Sequence, residues 1–210
     1  MEKYIVTISR EFGSGGRLIG EELARRLGVP FYDKNIIQMA AEKSGLSYDF
    51  IEKNEEKSGA PLYTIPVAAA FAGYTAMGYI DTPVNDKTFL AQTEVIREVA
   101  RKSSCVIVGR CADYILRDEP GLVRVFISGK LEDRIRRAVE KYGFASEGAQ
   151  EKIRKIDKSR ANYYRYYTDQ NWGSVHNYDI TLNTSFTGID GAVEVLLALL
   201  QTKGVTPKNS

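Results

Sequence analysis

The stretch Tyr4-Ile-Val-Thr-Ile-Ser-Arg-Glu-Phe-Gly-Ser-Gly-Gly-Arg17 decides the fold. Its first five residues form a short β-branched run, which is typical of a buried parallel strand. Three of the next nine residues are glycines, and apolar residues then recur at helical spacing until Gly28 and Pro30 end the helix. A strand, a glycine-rich loop and a helix in this order predict the first unit of an α/β domain.

The same alternation continues along the chain. Further strands are predicted at residues 29–32, 105–109, 122–128 and 178–183. Helices are predicted at 34–43, 48–57, 88–102, 188–200 and, with a break near residues 143–148, over 130–165. We therefore expect one parallel sheet with helices on both of its faces.

The glycine loop predicts a phosphate site. Backbone N–H groups in such a turn surround an anion, and the following helix N-terminus adds a favourable partial positive charge. We expect the site to consist of residues from one short stretch: Arg10, Gly13, Ser14, Gly15, Gly16, Arg17 and Leu18. The alternative is a glycine-rich turn that merely joins the strand to the helix.

The loop departs from the common GxxxxGK[ST] pattern. If Gly15 is the last loop glycine, Gly16 stands where the lysine is expected, and Arg10 stands where the first glycine is expected. Arg17, one residue later, is the candidate cation for the β- and γ-phosphates. Ser14 or Ser9 is the candidate for the missing hydroxyl group.

Four motifs resemble the cytidylate-kinase-like family: the loop 8–17, Phe31-Tyr-Asp-Lys34, Val108-Gly-Arg110 and Tyr178-Asp-Ile-Thr-Leu182. The resemblance spans nearly the whole chain, from about residue 3 to residue 200. It implies a three-layer P-loop kinase fold with a helical lid. It also implies transfer of the γ-phosphate of ATP, with Mg²⁺, to a nucleoside monophosphate, with CMP or dCMP first among the candidates.

The resemblance and the predicted strand ends together nominate the site residues. Arg17, Arg110, Arg160 and Arg165 are the catalytic candidates, because phosphoryl transfer depends on positioned cations. The candidates for acceptor binding are Asp33, Lys34, Arg110 and Asp113. Cys111 stands where cytidylate kinases usually have an aspartate, which leaves open the acceptor's base and sugar contacts. Helix capping is an equal explanation for Asp33.

Arg160 and Arg165 belong to a basic, tyrosine-rich segment that we interpret as a closing lid, over residues 143–175. A solvated charged helix is the alternative. The aromatic residues of this segment (Tyr163, Tyr164, Tyr166, Tyr167 and Trp172) are expected to pack the lid onto the body or against another subunit, with stacking on a base as the alternative.

The composition predicts an ordinary globular protein, with 43% hydrophobic and 27% charged residues. A net charge of +2 does not favour a nucleic-acid polymer as partner. Two cysteines without a CxxC pair and no signal-like N-terminus favour the cytoplasm. The uncharged segment 58–80 is interpreted as a small-residue helix rather than a membrane span.

We expect a single domain over residues 1–202, an acceptor-side helical region over 34–100 and a flexible tail over 203–210. ATP and a small phosphorylated acceptor are the expected partners, and self-association is a further expectation. Two alternative functions stay open: a kinase for another small metabolite, and a nucleotide-binding regulatory module that lost turnover with the loop lysine.

Overall fold

The computed structural model describes residues 3–54 and 84–205. The strands are β1 (Ile5–Arg10), β2 (Phe31–Tyr32), β3 (Cys105–Val108), β4 (Leu122–Ser128) and β5 (Ile180–Asn183). The helices are α1 (Gly16–Leu27), α2 (Asn35–Ser44), α3 (Tyr48–Asn54), α4 (Val84–Lys102), α5 (Ala112–Ile115), α6 (Leu131–Tyr142), α7 (Ala149–Thr168) and α8 (Thr184–Thr202). The predicted α/β alternation is therefore confirmed; the short α5 is the helix that the periodicity missed.

The five strands form one parallel sheet in the order β2-β3-β1-β4-β5. The first strand lies at the centre, paired with β3 on one side and β4 on the other. Because all five strands run in the same direction, their carboxyl ends and the loops that follow them share one edge of the sheet. Most of the candidate site residues predicted from the sequence lie at or near the carboxyl ends of these strands, and therefore along this edge.

Helices cover both faces of the sheet, so the domain has three layers. On one face, α1 and α8 pack against alternate residues of the central strand such as Val6 and Ile8. On the other face, α2, α3, α4 and α5 pack around Ile5 and Ile107. This alternation along β1 follows from the two-residue period of a strand. The architecture is the P-loop kinase fold that the family resemblance implied.

Several boundaries differ from the sequence prediction for local reasons. Helix α8 begins at Thr184, where the Asn183 side chain accepts a hydrogen bond from the Ser185 amide, and it is kinked at Gly188 (φ +69°). The tail was expected to be flexible from residue 203, but Val205 is only 5% exposed and its amide bonds to the Leu200 carbonyl. Val205 therefore packs into the α1–α8 core, whereas residues 206–210 lie outside the described residues and their flexibility stays a prediction.

The segment 58–80 lies outside the described residues, so its interpretation as a small-residue helix stays a prediction. Across residues 3–54 and 84–205, the structure contains no helix with the length and apolar character needed to cross a bilayer.

Candidate active site

The phosphate loop occupies the five residues between the end of β1 and the start of α1. Gly15 is the residue that precedes α1, and its left-handed backbone (φ +89°) turns the chain into the helix. In the described part of the chain, no protein group pairs with the amides of Gly13, Gly15, Gly16, Arg17 and Leu18. Unpaired amides that converge at a helix N-terminus are the hydrogen-bond donors that a polyphosphate requires.

Close packing explains why the usual lysine is replaced by glycine. A Cβ atom on Gly16 would lie 2.6 Å from Cβ of Arg10 and 3.4 Å from Cβ of Ile127. The first turn of α1 therefore packs too tightly against the strand ends to accept a side chain at this position. A cation for the phosphates must come from elsewhere in the site.

Ser14 supports the shape of the loop and does not face outward. It is fully buried, its hydroxyl donates a hydrogen bond to the Glu11 carbonyl at 2.8 Å, and its own carbonyl accepts one from Thr184 Oγ1 at 2.8 Å. We predicted that Ser14 or Ser9 would supply a hydroxyl for Mg²⁺. Ser9 is also buried, at 4% exposure, so neither hydroxyl is presented to the loop's open side.

The loop opens into a cavity of about 570 Å³ on the carboxyl edge of the sheet. The lining residues come from the end of β1, the phosphate loop, the start of α1, the loops after β2 and β3, and helices α3, α6 and α7. They include Arg10, Gly13, Gly15, Gly16, Arg17, Asp33, Lys34, Arg110 and Arg160, together with Glu11, Phe12, Glu52 and Tyr142. The structure thus brings most of the predicted candidates into one cavity.

Asp33 joins two of the predicted arginines. Its Oδ2 atom lies 2.9 Å from Nε of Arg17, and its Oδ1 atom lies 3.4 Å from Nη1 of Arg110. Helix capping does not account for Asp33, because α2 has Lys34 as its N-cap, without a side-chain cap hydrogen bond. Asp33 instead aligns two guanidinium groups along one wall of the cavity.

Arg110 is held in an unusual backbone conformation. Three consecutive residues after β3, Gly109, Arg110 and Cys111, have φ values of +77°, +58° and +54°. Non-glycine residues in this region cost about 1–3 kcal/mol each and occur preferentially at functional sites. The Arg110 side chain is 1% exposed, and its Nη1 atom donates to the Val108 carbonyl at 3.1 Å.

The lid helix α7 contributes one of its two predicted arginines. Arg160 lines the cavity, its Nη1 donates to the Arg10 carbonyl at 3.2 Å, and its guanidinium carbon lies 5.7 Å from the centre of the Phe12 ring. Arg165 is exposed and does not line the cavity. The structure therefore joins Arg160, but not Arg165, to the other cations.

Asp113 lies beneath the cavity wall rather than in it. It is 3% exposed and accepts a hydrogen bond at 2.7 Å from the hydroxyl of Tyr164. Burial raises the pKa of the Asp113 carboxyl above its ordinary value, and burial likewise raises the pKa of Tyr164. We predicted acceptor contact for Asp113, but the structure gives it a buried packing position behind Tyr164.

Three of the four tyrosines of α7, Tyr163, Tyr164 and Tyr167, pack against other parts of the chain and fix the second half of that helix, whereas Tyr166 is 45% exposed. Tyr163 and Tyr164 are both 3% exposed. The Tyr167 ring stacks on Phe89 of α4 with centroids 3.9 Å apart, and its hydroxyl donates to Asp86 at 3.0 Å. These contacts match the expected packing of lid on body, whereas a contact with another subunit stays a prediction.

Sequence reasoning missed three charged residues at the loop. Arg134 and Arg137 in α6 donate to the carbonyls of Phe12 and Gly13, respectively, and Asp157 in α7 accepts from the Phe12 amide at 2.7 Å. The sequence contained one indication that α6 could reach the loop: α6 follows β4, and the carboxyl ends of parallel strands share the edge where the site lies. The strand order β3-β1-β4, which places β4 beside the loop, could not be predicted from the sequence.

The described side chains do not form a ready site for Mg²⁺. Within the described ranges, no group of three or more histidine, cysteine, aspartate or glutamate residues could hold a metal ion. Glu11 accepts from the Gly129 amide at 3.0 Å and pairs with Arg134 at 3.1 Å, so its carboxylate is already engaged.

Comparison with known proteins identifies the family. The model of the cytidylate kinase-like family matches residues 5–186. The cytidylate kinase of Ignicoccus hospitalis is 23% identical over 197 residues, which cover 93% of this chain and 98% of that protein.

Solved structures support the fold. An uncharacterized protein from Eubacterium ventriosum is 29% identical, with a TM-score of 0.71, over 96% of this chain and 99% of its own. A shikimate kinase from Bacteroides thetaiotaomicron has a TM-score of 0.57 at 16% identity, over 95% of this chain and 99% of its own, so it shows the fold alone. With the family model covering most of the chain and the fold in agreement, this protein belongs to the cytidylate kinase-like family.

Proposed function

We propose that this chain transfers the γ-phosphoryl group of ATP to a nucleoside monophosphate, with CMP or dCMP the first candidate acceptor. One observation carries the proposal: four residues with amides unpaired in the described part of the chain, Gly13, Gly15, Gly16 and Arg17, line the same cavity as the side chains of Arg110 and Arg160, whereas Leu18 does not line it. A kinase needs this combination, because its chemistry consists mainly of aligning two phosphorylated groups and neutralising their charge. Family membership supports the same reaction class.

Each part of the site has a role in this proposal. The amides of Gly13, Gly15 and Gly16 hold the β- and γ-phosphates of ATP. Arg17 lies on the first turn of α1, with its side chain 51% exposed, and it turns toward the transferred phosphate. Arg137 also stands at the loop, where it bonds to the Gly13 carbonyl. These two arginines supply the positive charge that the absent lysine would otherwise provide.

Arg110 binds the acceptor's phosphate, and Asp33 fixes the direction of its guanidinium group. Lys34 is exposed on the same cavity wall and adds charge for an anionic acceptor. Arg160 approaches from α7 and closes the site around the transferred group. Mg²⁺, carried by the ATP phosphates, would neutralise part of their charge.

We also propose that residues 34–100 form the acceptor side, that residues 143–175 include the lid, and that the chain works in the cytoplasm. The burial of Tyr163 and Tyr164 anchors the second half of α7 to the body of the domain. Neither Cys105 nor Cys111 is in a disulfide and both are buried, which suits a reducing compartment.

Acceptor-dependent release of ADP tests the proposal. Purified protein is mixed with ATP, Mg²⁺ and a panel of nucleoside monophosphates and small metabolites. Release with CMP or dCMP supports the proposed acceptor, whereas release only with another compound reassigns it. ATP binding without acceptor-dependent release of ADP would favour the nucleotide-binding regulatory module. That alternative stays open because Gly16 stands where the loop lysine is expected.

A matched pair of variants tests the role of Arg110. Arg110→Lys keeps the charge but loses the forked contact, so kcat/KM for the acceptor should fall by at least roughly 30-fold. Arg117→Lys is the control, because the Arg117 side chain is 46% exposed and pairs with Asp118 away from the cavity. Equal activity in the two variants would remove Arg110 from the mechanism. Circular dichroism checks that both variants fold.

A further inference from the structure

Both backbone polar groups of Phe12, in the middle of the phosphate loop, are bonded to charged side chains from α6 and α7. Its amide donates to Oδ1 of Asp157 at 2.7 Å, and its carbonyl accepts from Nε of Arg134 at 2.9 Å. Arg134 also bonds to Asp157 and pairs with Glu11 at 3.1 Å. We call these three residues, Glu11, Arg134 and Asp157, the loop clamp.

The clamp determines where the next loop amide points. In a trans peptide the C=O and the following N–H point in opposite directions. Because Arg134 draws the Phe12 carbonyl toward α6, the Gly13 amide is turned the other way. Gly13 lines the cavity and its amide has no partner among the described residues. The hydrogen bond between Arg134 and the Phe12 carbonyl therefore leaves the Gly13 N–H available as a donor on the cavity side of the loop.

Burial makes the clamp effective. The side chains of Arg134, Asp157 and Glu11 are 7%, 17% and 26% exposed, so water and salt screen their interactions weakly. The second carboxylate oxygen of Glu11 accepts from the Gly129 amide at 3.0 Å, which ties the clamp to the end of β4. The two carboxylates share one guanidinium group, and each also accepts a backbone amide, so neither carboxylate of the clamp is without a donor.

The Phe12 side chain is anchored on α6 and on the connection that follows it. Its ring stacks on Phe144 with centroids 5.2 Å apart and contacts Tyr142 at 5.6 Å. Phe144 lies in the connection between α6 and α7, and Tyr142 is the last residue of α6. The main chain and the side chain of one loop residue are thus both held by the segment from α6 to α7.

We propose that Arg134 and Asp157 are positioning residues, which hold the Phe12 peptides so that α6 and α7 keep the phosphate loop in its ATP-binding shape. The nature of the ligand rests on the proposed function, but the clamp itself does not. Neither side chain needs to touch the nucleotide, since both act through the backbone on either side of Phe12.

Hydrogen exchange at the Phe12 amide tests the clamp directly. In Asp157→Ala this amide loses its acceptor, so its exchange should accelerate by at least roughly tenfold relative to the wild type. Asp157→Asn keeps an oxygen acceptor and should restore most of the protection. Asp179→Ala is the matched control, because Asp179 also accepts a backbone amide (Arg124, 2.8 Å) and pairs with an arginine, but away from the cavity.

Calorimetric titration supplies the second measurement. ATP should bind to Asp157→Ala at least roughly fivefold more weakly than to Asp179→Ala, while acceptor affinity is the same in both. Arg134→Lys, which keeps the charge but not the three-way contact, should show the same selective loss of ATP affinity. A merely structural role would lower both affinities together.

The inference is overturned if Phe12 exchange and ATP affinity in Asp157→Ala equal those of the Asp179→Ala control. If Asp157→Ala does not fold, Arg134→Lys decides: ATP affinity equal to that of Asp179→Ala would then overturn the inference. A wild-type protein that binds no ATP would refute the proposed function, and the exchange rates would then decide alone whether the clamp exists.

Discussion

Replacing Gly13 by alanine tests whether the loop binds ATP through its backbone. An added Cβ would lie 2.6 Å from the backbone carbonyl oxygen of Arg134, closer than the 3.0 Å that real Cβ atoms keep. The loop must therefore shift by at least about 0.4 Å, because the obstacle is main chain and cannot rotate away. Hydrogen bonds to phosphate tolerate little lengthening, so several amide contacts weaken together.

The expected loss of ATP affinity can be separated from the loss of folding stability that a positive φ angle causes in alanine. Gly13 has φ +76°, where alanine is destabilised by about 1–2 kcal/mol. Gly45 has a similar φ of +72°, and an added Cβ there meets nothing within 4 Å. Gly45→Ala thus carries the same backbone cost without the clash. Gly13→Ala should therefore lose at least as much stability in urea unfolding as Gly45→Ala, and the difference between them measures the clash.

Only Gly13→Ala should lose ATP affinity. We expect its Kd for ATP, measured by isothermal titration calorimetry, to rise at least roughly tenfold, which corresponds to about 1.4 kcal/mol. Gly45→Ala should bind ATP as the wild type does. If the two variants bind ATP within about twofold of each other, the loop amides do not hold the nucleotide and the reading of this site is wrong.

Three further substitutions test individual side chains. Arg17→Ala should lower kcat/KM at least roughly tenfold with little change in Tm, since its side chain is half exposed; unchanged turnover would contradict its proposed role. Arg160→Ala should lower kcat at least roughly tenfold and Arg165→Ala far less, because of these two arginines Arg160 alone lines the cavity. If steady-state kinetics show the larger loss in Arg165→Ala, Arg165 and not Arg160 is the catalytic arginine of α7. Asp113→Asn should change the pH dependence of unfolding. Burial raises the pKa of Asp113 in the folded state, so the wild type loses stability relative to the variant as pH rises above about 4. Urea unfolding between pH 4 and 8 measures this, and parallel curves would contradict it.

The lid illustrates where sequence reasoning succeeded and where it stopped. The break near residues 143–148 was visible because glycines interrupt a charged helical pattern, and the structure has α6 ending at Tyr142 and α7 starting at Ala149. The choice between Arg160 and Arg165 was not visible. It depends on which side of α7 faces the loop, and the packing of Tyr163 and Tyr164 decides that.

Asp33 and Asp113 show the same limit for the acceptor side. Both carboxylates follow a strand or lie near a strand end, so both were reasonable candidates. Tertiary packing separates them: Asp33 contacts Arg17 and Arg110 in the wall of the cavity, whereas Asp113 is buried and hydrogen-bonded to Tyr164. A local pattern cannot distinguish these two environments, because each partner comes from a distant part of the chain.

The amino-acid sequence by itself determined the strand–loop–helix unit, the alternation of strands and helices, and the family. These are properties of hydrophobic period, glycine placement and short motifs, which are local. The tertiary structure alone decided that β4 lies beside β1, and hence that Arg134, Arg137 and Asp157 reach the loop. Strand order depends on how whole layers pack together, and that information is spread over residues more than a hundred positions apart.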